Sequence, residues 1–181
     1  SNPSADLNGD DVAAKLKILS SLCFNSFLNN NIHVEGIKNI DKEDIDNANR
    51  LGYKIKLIGF AELINKTIYQ RVHPTLIRNS SYVAGIDGVL NAIIMDGYPV
   101  GQSIIQGEGA GPAPTTSALI SDISSISRGN IKFPFSISNK ERKNLKFKNI
   151  FERSFSAYLR FEVADKPGVL SNITHVFSRN R

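Results

Sequence analysis

The chain has 181 residues, of which 41% are apolar and 22% charged, enough for one large domain or one domain plus part of another, and against wholesale disorder. Its formal net charge of +5 is scattered along most of the sequence, so no broad basic face argues for nucleic acid as a partner. No signal peptide or long apolar run is present, which points away from a membrane and toward a soluble cytoplasmic protein.

In chain order, Asp10 and Asp11 open the first predicted helix, over residues 10–24, where the positive end of the helix dipole favours carboxylates. Val12, Leu16, Leu19 and Cys23 recur at helical spacing and form its expected buried stripe. Cys23 is the single cysteine, which excludes an internal disulfide and a cysteine-clustered metal site. Lying near Leu19, Leu22 and Phe24, it is expected to be a buried, inert thiol. Residues 25–31 are a polar break. Asp41 is the expected N-cap of a second helix, with Asp44 completing the cap and Gly52 marking the end. Alternating, β-rich runs follow at 53–62, 67–77, 89–95 and 101–106. Between the last two, Asp96-Gly97 predicts a tight hairpin turn, because this pair tolerates positive φ.

Helices followed by these strands define an α+β class, with helices packed on one face of a mainly antiparallel sheet. A further helix is predicted over 115–127, offering Ala118, Ile120, Ile123 and Ile126 for burial. Residues 129–153 are rich in Lys and Asn, weakly patterned, and carry the basic run from Lys140 to Lys148; they read as a solvated linker. Beyond them, residues 157–163 alternate as a strand, Asp165-Lys166-Pro167-Gly168 is a turn, and 169–181 read as a helix.

Asp11 and Lys15 share one helix face, where an acid and an amine can hold a polar substrate and move a proton. An exposed pair of this spacing is also a common surface salt bridge. Gly107-Glu108-Gly109-Ala110-Gly111-Pro112 is neither a dinucleotide fingerprint nor a P-loop, since Pro112 replaces the third glycine and no Gly-Lys-Ser/Thr follows. It is a strand-to-helix turn before Thr115-Thr116, at a helix start where free N–H groups favour anions and close backbone approach. His73, before Pro74, has no partner at readable spacing and reads as structural. No His/Asp/Glu grouping has metal-ligand spacing, so no metal site is expected.

The run from Asn2 to Lys15, Asn-Pro-x-x-Asp-Leu-x-Gly-x-Asp-x-x-x-Lys, closely resembles the signature of homoserine dehydrogenases. Gly109-Ala110-Gly111-x-x-Pro114-Thr115 resembles a second landmark of that family, where its chain returns to the cofactor domain. Val34-Glu35-Gly36-Ile37, Leu51-Gly52-Tyr53-x-Ile55-Lys56-Leu57 and Arg71-Val72-His73-Pro74 are further likenesses, so the resemblance covers residues 2–128 in order. The strand, Asp-Lys-Pro-Gly-Val-Leu turn and helix at the C-terminal end resemble the opening of an ACT domain, an amino-acid-sensing module of ferredoxin-like topology.

The resemblance implies a substrate and dimerisation domain at 1–128, a linker at 129–153 and a truncated ACT unit at 154–181. It implies NAD(P)-dependent interconversion of homoserine and aspartate semialdehyde, with Lys15 as general acid/base, Asp6 orienting it and Asp11 gripping the substrate ammonium group. Gly111 would lie against the nicotinamide nucleotide, and Asp165 and Gly168 would shape a regulatory turn for an effector such as threonine. It also implies a homodimer, and a fragment that is inactive alone because the nucleotide-binding domain is missing. Two other classes remain open on the residues alone: a sensing and dimerisation module without catalysis, and another oxidoreductase sharing this substrate domain.

Overall fold

Gly9 divides the first helical stretch in two. Its backbone is left-handed, at φ +87°, and it separates α1 (Ser4–Asn8) from α2 (Asp10–Phe24). The computed structural model describes residues 4–28, 32–132, 135, 137–148 and 152–179, so Asn2 and Pro3 of the signature lie outside the described residues. A side chain at Gly9 would also meet Val34 and Val72 within 3.2 Å, so glycine is required there for space as well as for conformation.

The expected second helix forms as α3 (Lys42–Arg50), and its capping box is complete. Asp41 accepts from the Asp44 N–H at 3.0 Å, and Asp44 accepts from the Asp41 N–H at 3.2 Å. Gly52 follows the helix with φ +82°. The strands β2 (Tyr53–Ile64) and β3 (Thr67–Arg78) then pair antiparallel along their whole length, from Tyr53↔Arg78 to Ile64↔Thr67. Asn65 and Lys66 make the turn with φ of +47° and +60°, the geometry a two-residue hairpin loop needs. Two short strands, β1 (His33–Val34) and β6 (Lys146–Lys148), run parallel to β3. Antiparallel pairing therefore dominates, and α2 and α3 both pack on β2, as an α+β class requires.

Several expectations are corrected. The four main strands do not form one sheet, because β4 (Leu90–Gly97) and β5 (Gly101–Glu108) make a separate two-stranded hairpin. Its loop is Tyr98-Pro99-Val100, and Asp96-Gly97 pair with Gln102 and Gly101 inside the ladder instead of forming the turn. Along α2 the buried face is Ala13, Leu16, Ser20 and Ser21, a rotation away from the stripe through Leu19 and Cys23, and Cys23 is exposed. Small residues win this face because the helix lies close on the sheet: a Cβ on Gly59 would come 3.0 Å from Val12 Cγ1. The buried serines spend their hydroxyls locally, Ser20 Oγ donating to the Leu16 carbonyl at 2.7 Å and Ser21 Oγ to that of Ser26. Ala13, Leu16 and Val72 form the core, with Val12, Ile32, Val34, Leu57 and Ala61 packed around them.

α4 (Pro112–Ser127) forms as expected but buries nothing among the described residues; Leu119, Ile120, Ile123 and Ile126 are each more than half exposed. The supposed linker is instead fastened to the sheet. The Lys143 N–H donates to the Asn25 carbonyl at 2.7 Å, and β6 joins β3. Arg142 stacks over Phe27 and Phe135, Arg153 pairs with Glu62, and Arg71 lies between Phe60 and Phe155 at 5.3 Å from each ring. Burial lowers the pKa of the Arg71 guanidinium, with the charge of Arg153 acting in the same direction.

Residues 157–163 carry no strand pairing, because alternation makes a strand only beside another strand, and none is available among the described residues. Their alternate side chains are nonetheless used. Arg160 reaches Asp41, Glu43 and Asp44 at the start of α3, and Tyr158 reaches Asn47. Leu159 and Phe161 face α5 (Val169–Arg179), where Phe161 and Phe177 meet edge to face.

Candidate functional site

The corner between α1 and α2 is held on the sheet by main-chain bonds. The Ile37 N–H donates to the Leu7 carbonyl at 2.9 Å, and the Glu35 N–H to that of Val72 at 2.7 Å. This fixes where the first turn of α2 begins, and so where Asp11 and Lys15 point. Lys15 Nζ lies 2.8 Å from Asp11 Oδ2, and both side chains are about half exposed. Among the described residues only Oδ2 of Asp11 is engaged, which leaves Oδ1 to accept from a second cation. Asp6 is exposed in α1, and among the described residues no hydrogen bond or ion pair joins it to Lys15.

The second landmark lies at the end of the β4–β5 hairpin. Gly111 caps α4 with φ +122° and ψ +162°, a backbone that glycine adopts most easily. The expectation of a donor-rich, anion-favouring helix start is corrected here. Pro112 and Pro114 contribute no N–H, and the Thr115 N–H is spent on the Gly111 carbonyl at 3.2 Å. Thr115 Oγ1 donates to that same carbonyl at 2.8 Å. Ala113 keeps the remaining main-chain donor of this turn, which suits close approach of a flat group better than a grip on a diphosphate.

Upstream of the hairpin, Asp87 receives Lys54 Nζ at 2.8 Å and Lys56 Nζ at 2.6 Å. The hydrogen bond from Lys54, then that from Lys56, draws its carboxyl down to about 2. Lys54 also donates to the Ala84 carbonyl and Lys56 to that of Ile86, so the approach to β4 is anchored on β2. His73 Nδ1 sits 2.7 Å from the Pro74 carbonyl, with Thr75 Oγ1 at 3.3 Å. In the C-terminal unit Gly168 has φ +91° just before α5, and Asp165 is exposed in the preceding segment.

The family model for homoserine dehydrogenase matches residues 1–124. The chain belongs to the homoserine dehydrogenase family. It is 38% identical over 180 residues to the homoserine dehydrogenase of Helicobacter pylori, covering 99% of this chain and 42% of that protein. It is 35% identical over 185 residues to that of Neisseria gonorrhoeae, covering 98% of this chain and 42% of that protein. A crystal structure of a homoserine dehydrogenase from Thiobacillus denitrificans matches 99% of this chain and 43% of its own, with a TM-score of 0.85 and 30% identity. The chain thus spans 42% of the length of these curated relatives.

Sequence likeness pointed to Lys15, Asp11 and Gly111 but gave no role to three residues that fix local structure: Gly36 beside α1, Arg160 at the start of α3 and Asn91 at the β4–β5 exit. Gly36 was visible only as part of a likeness, yet a Cβ there would sit 2.2 Å from the Leu7 carbonyl oxygen. Arg160 and Asn91 carried no signal, because each acts through partners distant in sequence or through a contact with bare backbone. Among the described residues no group of three or more His, Cys, Asp or Glu is placed to hold a metal, and no helix is long and apolar enough to cross a membrane.

Proposed function

We propose that the protein carrying this chain interconverts L-homoserine and L-aspartate 4-semialdehyde with NAD or NADP, a step toward threonine, methionine and isoleucine. Family membership with Lys15 and Asp11 paired on one exposed face carries this reading. When bound, the nicotinamide group supplies the hydride to the aldehyde carbon and accepts it in the reverse direction. Lys15 gives a proton to the aldehyde oxygen as the alcohol forms, and takes it back from the hydroxyl in oxidation. Asp11 holds the substrate ammonium through Oδ1, Asp6 is assigned by the family likeness to orient Lys15, and Gly111 lets the main chain approach the nucleotide.

These 181 residues alone are expected to lack turnover, because the matched relatives are more than twice as long. The test compares purified residues 1–181 with the full-length protein, following nicotinamide absorbance with homoserine present. Turnover by the 181 residues, or none by the full-length protein, would contradict the proposal.

The same reading assigns a cytoplasmic homodimer. Leu90, Ile94 and Ile104 lie exposed on one face of the β4–β5 hairpin, an apolar surface of the kind that a second copy covers. Sedimentation of the full-length protein at micromolar concentration is expected to show a dimer; a monomer would refute this part. Residues 154–181 are read as the start of an ACT unit, in which Asp165 and Gly168 shape the turn for an amino-acid effector such as threonine.

A further inference from the structure

The glycines around the β4–β5 exit are not equivalent. Gly111 is fixed by its φ of +122°, and Gly107 has open space where a side chain would go. Gly109 lies outside the left-handed region, yet a Cβ built on it would lie 1.9 Å from Asn91 Nδ2 and 2.5 Å from Asn91 Cγ. The carboxamide of Asn91 therefore fills the space that any larger residue at 109 would need.

That carboxamide is itself held. Asn91 Nδ2 donates to the Val89 carbonyl at 3.3 Å, and the Gly109 N–H donates to the same oxygen at 3.0 Å. Asn91 also pairs with Gly107 in the ladder, so its Cα is fixed relative to the loop it covers. One carbonyl thus ties together the side chain of Asn91 and the backbone of Gly109, two residues before Gly111. The two hydrogen bonds to the Val89 carbonyl and the carboxamide of Asn91 thus border Gly109 and limit where its backbone lies.

We propose that Asn91 is a positioning residue for the nucleotide: its carboxamide, fastened to Val89 and lying over Gly109, sets how closely the Gly109-Ala110-Gly111 backbone approaches the nicotinamide end. This rests on the assignment of Gly111 to the nucleotide. Asn91 acts through the loop and touches neither hydride nor proton.

The test uses the full-length protein and reads the NADPH dissociation constant from nicotinamide fluorescence, alongside the melting temperature. Gly109→Ala is expected to weaken NADPH binding by ~10-fold or more, because the new methyl group must displace either Asn91 or the loop. Asn91→Ala is expected to weaken it by ~3–10-fold. In the double variant the truncated side chain makes room for the methyl, so binding should match Asn91→Ala to within about twofold; full multiplication of the two losses would overturn the proposal.

Asn91→Asp keeps the shape but puts an acceptor against the Val89 carbonyl. It should raise the KM for nucleotide while kcat and the KM for homoserine stay within about twofold of the parent. If Asn91→Ala fails to fold, this variant and Gly109→Ala carry the comparison. The same titration is run with NADH, and binding of neither NADPH nor NADH by the parent would overturn the nucleotide assignment and this proposal together. Parental binding that Asn91→Asp and Gly109→Ala leave unchanged would overturn this proposal alone.

Discussion

Lys15→Ala in the full-length protein is expected to lower kcat by ~10²–10⁴-fold with little change in the KM for homoserine, the range for loss of a general acid/base. Asp11→Ala is expected to act mainly through KM, since on the proposed reading the carboxylate grips the ammonium group before, during and after hydride transfer. The alternative is a surface ion pair. Both side chains are about half exposed, and a helical pair of this kind contributes only ~0.3–0.5 kcal/mol, so on that view both variants would turn over normally. Steady-state kinetics on the two variants separates these outcomes. A kcat within about twofold of the parent for Lys15→Ala would remove the residue from the chemistry.

Gly36→Ala is expected to destabilise the protein by about 3 kcal/mol, at the upper end of overpacking costs. Its Cβ would stand 2.2 Å from the Leu7 carbonyl oxygen and within 2.8 Å of the Asn8 backbone, and neither can move aside as a side chain would. That carbonyl accepts from the Ile37 N–H, so relief of the clash must break the contact holding α1 to the residues after β1. Urea unfolding of residues 1–181 measures the loss. A midpoint equal to the parent's would show that the corner is not packed as described. In the full-length protein, the fraction that stays folded should show the larger effect in catalysis, because α1 carries Asp6 and α2 starts one residue past Gly9.

The α+β class was legible because α3 and the β2–β3 hairpin are written in local terms: the capping box at Asp41 and Asp44, and alternation on both strands. The fault at Asp96-Gly97 is instructive. That pair suits a two-residue turn, but the ladder runs on to Gly97↔Gly101, and Asn65-Lys66 takes the tight turn with both φ values positive. Hydrophobicity alone misplaces the buried face of α2, because Ala13, Ser20 and Ser21 are inside for their size. The fastening of Arg142, Arg153 and Arg160 was invisible for another reason. Arg142, Arg153 and Arg160 each meet partners far away in sequence, and a lysine- and arginine-rich run looks the same whether it is solvated or stacked on aromatic rings. At the site, Lys15 and Asp11 were legible as an i,i+4 pair, and Gly111 through its landmark. Asn91 was not, since what it recognises is the missing side chain of Gly109.

Pro112 and Pro114 bear on more than hydrogen-bond donors. Each ring locks one φ near −65°, so the opening turn of α4 has few conformations to lose, whether the chain is folding or closing on a ligand. A loop of glycines alone would have to be ordered at each binding event, and that disorder would be subtracted from affinity. Here Gly111, the most permissive residue of the segment, is bounded by the most restricted one. Freedom at the entry to α4 is thus narrowed to Gly111, and on the proposed nucleotide reading this turn would keep its shape before the ligand arrives.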